Sequence, residues 1–385
     1  MFKIQSLADN IKKYRHKNGI KQYELAQMLH VSPQSVSKWE QCLSIPDIEN
    51  LCRLSEIFKV SIDKLLDHKY AVANMMIAID GGGTKTEFLL ISEQGNVKRR
   101  IILDGCNPNI CGIERTCEIL KTGIESLRTL ETNVSAIYCG IAGALSGNNR
   151  ENIKSFLKET YEDIITDCNS DIFNISASVT SGKCITAICG TGSNVCAING
   201  TKINRVGGWG YLFDGAGSGY DIGRDAICAA LAQNDMIGPK TLITDLVEQK
   251  LGAGIWESIN RIYMEDKSFI ASFSNEVFAA YKSGDEVAKQ IIDKNISALA
   301  KKINFAAKKY DCGNTVIVAG GIMNQREIVT EVFKKNLDRN LNLIIPDLPQ
   351  IYGACVLCCN LLNVHNEGFK ETFTADYNKF TKGES

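Results

Sequence analysis

The 385-residue chain has no apolar run approaching 18 residues, so nothing in it reads as a membrane-spanning helix. It has little net charge: 43 Lys and Arg against 44 Asp and Glu give −1, which excludes a polybasic protein. It has no leader pattern, because its first residues read as a charged amphipathic helix, and the expected location is cytoplasmic. The G-x-x-x-x-G-K-[ST] of a Walker A loop and the G-x-G-x-x-G dinucleotide fingerprint are both missing, which excludes those two phosphate-binding modes. Cysteine is plentiful at 15 residues, yet scattered and mostly set in apolar runs. The one C-x-x-C, Cys355-Val356-Leu357-Cys358, has no second pair and no nearby His. Reduced, buried thiols are therefore expected, not disulfides or a metal site.

What is present is organised around Ala78-Ile79-Asp80-Gly81-Gly82-Gly83-Thr84-Lys85-Thr86-Glu87. Met75–Ile79 and Phe88–Ile91 read as buried strands on either side of a hairpin. Glycine carries no Cβ, so backbone N–H groups at Gly82 and Gly83 can converge on phosphate oxygens. Thr84 and Thr86 add hydroxyls, Lys85 a cation, and Asp80 a carboxylate suited to holding Mg²⁺ through water. A plain glycine-rich hairpin is the alternative. About 110 residues further on, the strand Cys184–Cys189 runs into Gly190-Thr191-Gly192-Ser193-Asn194 and then a strand Val195–Ile198. Two such units predict two similar lobes facing across a cleft.

Residues 1–70 stand apart, with 11 Lys and Arg against 8 Asp and Glu, a balance of +3 that leaves the remainder at −4. Leu7, Ile11 and Tyr14 mark one helix ending near Asn18-Gly19, and Gln22–Leu29 reads as a second. In the next segment, His30 to Glu40, Ser32 is an N-cap and Pro33 a first helical residue. Two short helices joined by three residues form a helix-turn-helix. The run Gln22, Leu25-Ala26, Val31-Ser32, Val36-Ser37, Trp39-Glu40, Pro46 resembles the Cro/repressor-type family over about residues 4–66. The resemblance implies Gln34, Ser35, Ser37 and Lys38 on base edges or phosphates of a DNA operator, and Gln22 on the DNA backbone. It also marks two departures, His30 and Cys42 where the family has Gly, positions that demand left-handed backbone. A charge of +3 predicts modest affinity per head and hence a homodimer. A helical bundle used for protein contacts is the alternative.

The remainder resembles the BadF/BadG/BcrA/BcrD-type ATPases, a family of the actin/hexokinase superfamily that includes N-acetylglucosamine kinase. The residues that carry the resemblance are Asp80–Thr86, Asn107, Gly140–Gly143, Gly190–Asn194, Gly207–Gly210, Gly217–Tyr220, Gly223-Arg224, Ala319–Gly321 and Tyr352–Ala354. It implies ATP with Mg²⁺ as cofactors: Asp80–Thr86 at the phosphates, Gly190, Thr191, Gly192 and Ser193 as the opposite wall, and Gly320 and Gly321 around the adenosine. It further implies Asp171 as the base for a sugar hydroxyl and Asn107, Thr191 and Trp209 at the sugar. Asp171 also reads as the opening residue of a helix, a role compatible with the first. Where the kinases read Gly-Asp-Glu-Gly-Ser, this chain reads Asp214-Gly215-Ala216-Gly217-Ser218, so Asp214 is the remaining candidate carboxylate for the sugar. The family's cluster-bearing activators set cysteines in glycine-rich contexts, and none occurs here.

The expectation is therefore multidomain: an all-α helix-turn-helix head (1–68), a linker (69–74), an α/β two-lobed, actin-like (ribonuclease H-like) ATPase domain (75–365) and a polar tail (366–385). Helices are expected at Ile113–Leu130, Arg150–Tyr161, Leu242–Leu251, Ile255–Ile262, Phe269–Ala280, Val287–Tyr310 and Gln350–Leu362, and strands at Arg99–Leu103, Ser135–Cys139, Thr315–Ala319 and Leu341–Ile345. In the tail Phe369, Phe373 and Tyr377 fall four apart, which leaves a docked helix and a disordered end both open. Three functions compete: a DNA-binding regulator with an amino-sugar kinase, a non-catalytic sugar- or ATP-sensing regulator, and an ATPase that activates a partner protein.

Overall fold

The computed structural model describes residues 4–60, 62–66, 74–128 and 133–381. It falls into two units, Met1–Asn74 and Met75–Ser385, each taken here by itself. The expected linker lies almost wholly outside the described residues.

Among its described residues the first unit has five helices: α1 (Ile4–Lys17), α2 (Gln22–Leu29), α3 (Pro33–Glu40), α4 (Ile48–Phe58) and α5 (Ile62–Leu66). Their apolar faces meet in one core that includes Leu7, Ile11, Leu25, Val36, Trp39, Leu54 and Leu65. His30 and Cys42 both take left-handed backbone, with φ of 55° and 59°. Each costs roughly 1 kcal/mol that glycine would not. The Arg15 guanidinium clamps the core: Nε donates to Glu40 Oε1 (2.6 Å), Nη2 to Glu40 Oε2 (2.9 Å) and Nη1 to the Ile20 carbonyl (3.0 Å). Both side chains are buried, so α1 and α3 are held by a desolvated ion pair.

The second unit is built on two five-stranded sheets. The first contains β1 (Met75–Gly81), β2 (Lys85–Ser92), β3 (Val97–Asp104), β4 (Val134–Ile141) and β5 (Ile165–Asn169), in the order β3-β2-β1-β4-β5. The second contains β6 (Cys184–Cys189), β7 (Ser193–Asn199), β8 (Lys202–Val206), β9 (Thr315–Ala319) and β10 (Asn342–Ile344), in the order β10-β9-β6-β7-β8. The topologies coincide. β1 and β6 are each antiparallel to the following strand and parallel to a later one, β4 or β9. This is the duplication that the two glycine loops predicted.

Both faces of each sheet are covered, which is why the central strands read as unbroken apolar runs. On the first sheet Ile77 and Ile79 pack under Ile113–Leu127 and Asn149–Thr160, while Met76 and Ala78 pack under Gln350–Leu362. On the second, Val195 and Ala197 meet the long helix Glu286–Lys309, while Cys196 and Ile198 meet the helix Asp171–Ala177. That last helix crosses from β5 to β6. Ile172, Phe173 and Ile175 go into the second sheet's core, and Asn174 turns to the first.

Two expectations change, and one left open is settled. Phe269–Ala280 is two helices, Lys267–Ser272 and Ser274–Lys282, broken at Phe273. Strands β5 and β8 were not anticipated, because both are edge strands with polar sequences. The tail is a docked helix, Phe369–Thr381, whose Phe369, Phe373 and Tyr377 are buried. Tyr377 donates its hydroxyl to Glu87 Oε1 (2.8 Å), beside the buried Arg100–Glu87 pair. Among the described residues no helix is long and apolar enough to cross a membrane.

Candidate active site

β1 ends in Asp80 and turns through Gly82, Gly83 and Thr84 into β2. Gly82 N–H donates to the Lys85 carbonyl (2.9 Å), which closes the turn and leaves Gly83, Thr84 and Lys85 exposed. Thr86 does not take the phosphate-facing role expected of it. It is fully buried, and its hydroxyl donates to the Asp104 carbonyl (2.7 Å). As a β2 residue one step past the turn it points into the sheet.

Asp80 is the chemically unusual residue. Asn174 Nδ2 donates to Asp80 Oδ1 at 2.7 Å. Burial nevertheless pushes the carboxyl up to about 7, with the charges of Asp171 and Glu87 adding to the rise. Asn174 is itself completely buried and held by two glycines: a Cβ at Gly140 would fall 2.1 Å from its Oδ1, and one at Gly353 would fall 1.7 Å from its carbonyl oxygen. β4 and the helix Gln350–Leu362 thus leave room for this one amide. The residue was missed from sequence, where nothing separates it from any other helical Asn.

Asp171 opens its helix one turn before Asn174, so both lie on one face. Ser170 caps the helix and donates its hydroxyl to Asp171 Oδ1 (2.8 Å); burial raises the carboxyl above the ordinary range, opposed by the Ser170 bond. Asp80, Asp171 and Asn174 are therefore gathered where the first sheet meets the crossover helix. Asn107 joins from the same lobe. Cys106 N–H donates to the Gly82 carbonyl (3.1 Å), and a Cβ at Gly143 would fall 2.3 Å from Asn107 Oδ1. That oxygen caps Asn109 N–H (2.9 Å), which aims the Asn107 amide by a local turn.

In the opposite lobe Gly190 N–H donates to the Gly192 carbonyl (2.9 Å), leaving Thr191 and Gly192 exposed. Ser193 is buried and donates its hydroxyl to the Ala216 carbonyl (2.8 Å), so it anchors the 214–218 segment and does not present that hydroxyl to a ligand. Gly190 and Thr191 join Gly219, Asn275, Gly321 and Gln325 around a cavity of about 460 Å³. Gly320 brings β9 against β6 with φ of 112°; a Cβ there would fall 2.5 Å from the Cys189 carbonyl oxygen. Asn275 and Gln325 give the cavity amide groups that no motif announced.

Trp209 is exposed beside Arg205. Asp214 is not open to a sugar as expected: it is paired with Lys302 of the long helix. Burial would raise its carboxyl, but the Lys302 contact outweighs this and holds it below the ordinary range. Among the described residues no three His, Cys, Asp or Glu side chains could cage a metal ion. Asp80, the carboxylate at the end of β1 beside exposed donors, fits the mode in which Mg²⁺ is held by one or two carboxylates and shared with phosphates and water.

In the first unit Gln34 and Lys38 are exposed one turn apart on α3. Ser35 spends its N–H on the Ser32 cap (3.1 Å), and Ser37 Oγ accepts from Gln41 Nε2 (3.1 Å). Gln22 Nε2 donates to Glu40 Oε2 (2.7 Å), which fixes the residue expected on the DNA backbone.

Comparison with known proteins follows this division. The family model described as the BadF/BadG/BcrA/BcrD ATPase family matches residues 77–357, and a helix-turn-helix model matches residues 11–65. An N-acetylmuramic acid/N-acetylglucosamine kinase of Clostridium acetobutylicum is 30% identical over 297 residues, 73% of this chain and 97% of its own. A solved candidate N-acetylglucosamine kinase of Porphyromonas gingivalis, 21% identical, superposes with a TM-score of 0.60 over 76% of this chain and all of its own. A solved ROK family transcriptional regulator, described as a homologue of the E. coli MLC protein, covers 98% of this chain and 99% of its own at a TM-score of 0.52 and 10% identity. These two structures share the fold.

Proposed function

The chain belongs to the BadF/BadG/BcrA/BcrD ATPase family and carries a helix-turn-helix unit at its N-terminus; from this premise we propose that it is a DNA-binding regulator whose second unit phosphorylates an amino sugar from ATP. The observation that carries the reading is the gathering of Asp80 and Asp171 beside the first of two duplicated glycine loops. Phosphoryl transfer asks a protein for positioned donors, a carboxylate near the nucleophile and little else. Asp171 takes the proton from the sugar hydroxyl; its raised carboxyl lies closer to working pH than a free one, as a general base requires. Gly83, Thr84, Lys85, Thr191 and Gly192 supply N–H, hydroxyl and ammonium donors to the phosphates, while Gly82, its N–H spent on the Lys85 carbonyl, shapes the turn that presents them. Asp80 would hold Mg²⁺, which supplies charge neutralisation when bound. Gly320 and Gly321 border the adenosine, and Asn107 and Trp209 border the sugar. N-acetylglucosamine and its relatives are the substrates to test, as the C. acetobutylicum relative acts on two of them. On the DNA side, Gln34 and Lys38 read an operator as a dimer.

The test is coupled-assay turnover of full-length chain. Asp171→Asn should lower kcat by about 10²–10⁴-fold while ATP affinity holds. Undiminished kcat would remove Asp171 from the role. One observation favours a second reading, a sugar- or ATP-sensing regulator without turnover: Asp214 is neutralised by Lys302, and Gly215-Ala216 offer no replacement carboxylates. Ligand binding without turnover in the unmutated chain would select it.

A further inference from the structure

The second sheet displays a cation that the proposed reaction leaves unused. Arg205 lies near the end of β8 that leads into Gly207-Gly208-Trp209-Gly210, and its guanidinium carbon sits 4.4 Å from the centroid of the Trp209 ring. The register shows which way it faces. Arg205 pairs with Cys196 across β7 and β8, and directly opposed residues share a face. Cys196 belongs to the face covered by Asp171–Ala177, alongside Ile172 and Phe173; Val195 and its partner Val206 face the other core. Arg205 therefore stands on the side of the sheet that carries the helix of Asp171.

Two further observations describe its surroundings. Asn194, two residues before Cys196 on the same face, abuts the loop: a Cβ at Gly208 would fall 2.6 Å from Asn194 Oδ1. The Cys196 thiol is raised to about 12 by burial, and it senses both charges, Asp171 adding to the rise and Arg205 opposing it. Lys302, which lies against Gly207, is paired with Asp214. Among the described residues no carboxylate pairs with Arg205. A guanidinium laid on an indole face keeps its N–H edge in one plane, and that edge matches a carboxylate bidentately.

We propose that Arg205, held by Trp209, is a subsite for a carboxylate carried by the sugar, so that the preferred substrate is an acidic N-acetylamino sugar such as a lactyl ether. The proposal deepens the kinase reading and rests on it for the sugar's place. The phosphates have their own donors in the two glycine loops, which leaves Arg205 for an anionic group elsewhere on the sugar.

The experiment compares N-acetylmuramic acid, N-acetylglucosamine and N-acetylglucosamine carrying an uncharged 3-O-alkyl ether. Full-length chain and its Arg205→Gln and Arg205→Lys variants are measured by coupled turnover and by calorimetric binding. A charge-assisted pair predicts a kcat/KM preference of about 10–100-fold for the acidic sugar over the uncharged ether, expressed mainly in KM. Arg205→Gln should abolish that preference, and Arg205→Lys should restore part of it. If no sugar is turned over, an acidic-sugar preference in calorimetry that vanishes in Arg205→Gln would sink the kinase reading and keep the subsite. Equal affinity for acidic and uncharged sugars, binding of neither, or a preference that survives Arg205→Gln would overturn the proposal.

Discussion

Replacing Asp80 by Asn should stabilise the second unit at neutral pH while removing the carboxylate proposed to hold Mg²⁺. The carboxyl stands at about 7 against an ordinary 3.8, because burial penalises its charged form more than the Asn174 hydrogen bond favours it. At about 1.36 kcal/mol per unit, keeping it ionised at pH 8 costs the folded state up to about 4 kcal/mol. An Asn side chain removes that cost and still offers an oxygen to Asn174. The sign follows from linkage. Below about 4 both folded and unfolded chains hold the proton, and the variant gains nothing. Between about 4 and 7 the unfolded chain loses the proton first, so the unmutated protein loses stability and the gap opens. Above about 7 the gap is constant. The assay is urea unfolding of full-length chain in EDTA from pH 4.5 to 8. Trp209 and Trp256 fluorescence reports the second unit, and Trp39 reports the head. Mg²⁺ with ATP should narrow the gap by stabilising only the unmutated chain. A gap independent of pH, or an unmutated chain more stable at pH 8, would refute the assignment of Asp80 as a carboxylate held in waiting for a cation.

Other outcomes follow from the same contacts. Asn174→Ala leaves Asp80 without its donor and opens a void against Gly140, and it should cost about 2–4 kcal/mol at pH 8 by urea unfolding. Exchanging the two groups, Asn174→Asp with Asp80→Asn, should recover the unfolding midpoint but not Mn²⁺-ATP binding. Glu40→Gln breaks a buried ion pair and should destabilise the head by about 3–5 kcal/mol, read from Trp39 fluorescence. Burial works to raise the Glu40 carboxyl, but the Arg15 and Gln22 hydrogen bonds outweigh it and hold it low. Its contribution should therefore be full above about 4.5 and fade as pH falls below that, a slope absent from the variant. Gln34→Ala with Lys38→Ala should abolish operator selectivity in a footprint while leaving the head's unfolding midpoint unchanged within about 0.5 kcal/mol.

The duplicated architecture was legible because its signal is local. Each lobe announces itself by a strand, a glycine loop with hydroxyls and a second strand, and β1–β2 and β6–β7 are those hairpins. His30 and Cys42 were legible as backbone positions for the same reason. The edge strands β5 and β8 were not, since a strand paired along one edge only and largely exposed has no need of an apolar run. Hydroxyl residues misled in a consistent way. Thr86 and Ser193 sit next to the loops in sequence, yet strand alternation turns both inward, where each satisfies a backbone carbonyl. The tail helix depended on a long-range partner, the Glu87–Arg100 pair under Tyr377, which no local window contains.

The departure at 214–216 is also a long-range matter, and its physical sense lies in the charges around it. Lys302 lies against Asp214, and a Cβ on Gly215 would fall 2.6 Å from Asp221 Oδ1. A carboxylate at 215 would thus meet the space that Asp221 already fills, beside Asp214. The loss of acidic residues here is a redistribution of charge, with Asp214 and Asp221 drawn onto Lys302 and Arg224 and away from a ligand. One consequence reaches the substrate. A sugar site with an exposed carboxylate repels an anionic sugar; on the subsite proposal, pairing Asp214 with Lys302 while Arg205 keeps no carboxylate partner would favour one. Gly215→Asp with Ala216→Glu therefore tests more than turnover: it should shift selectivity toward the neutral sugar even where it lowers stability, because the added charge acts on the ligand and the steric conflict acts on Asp221.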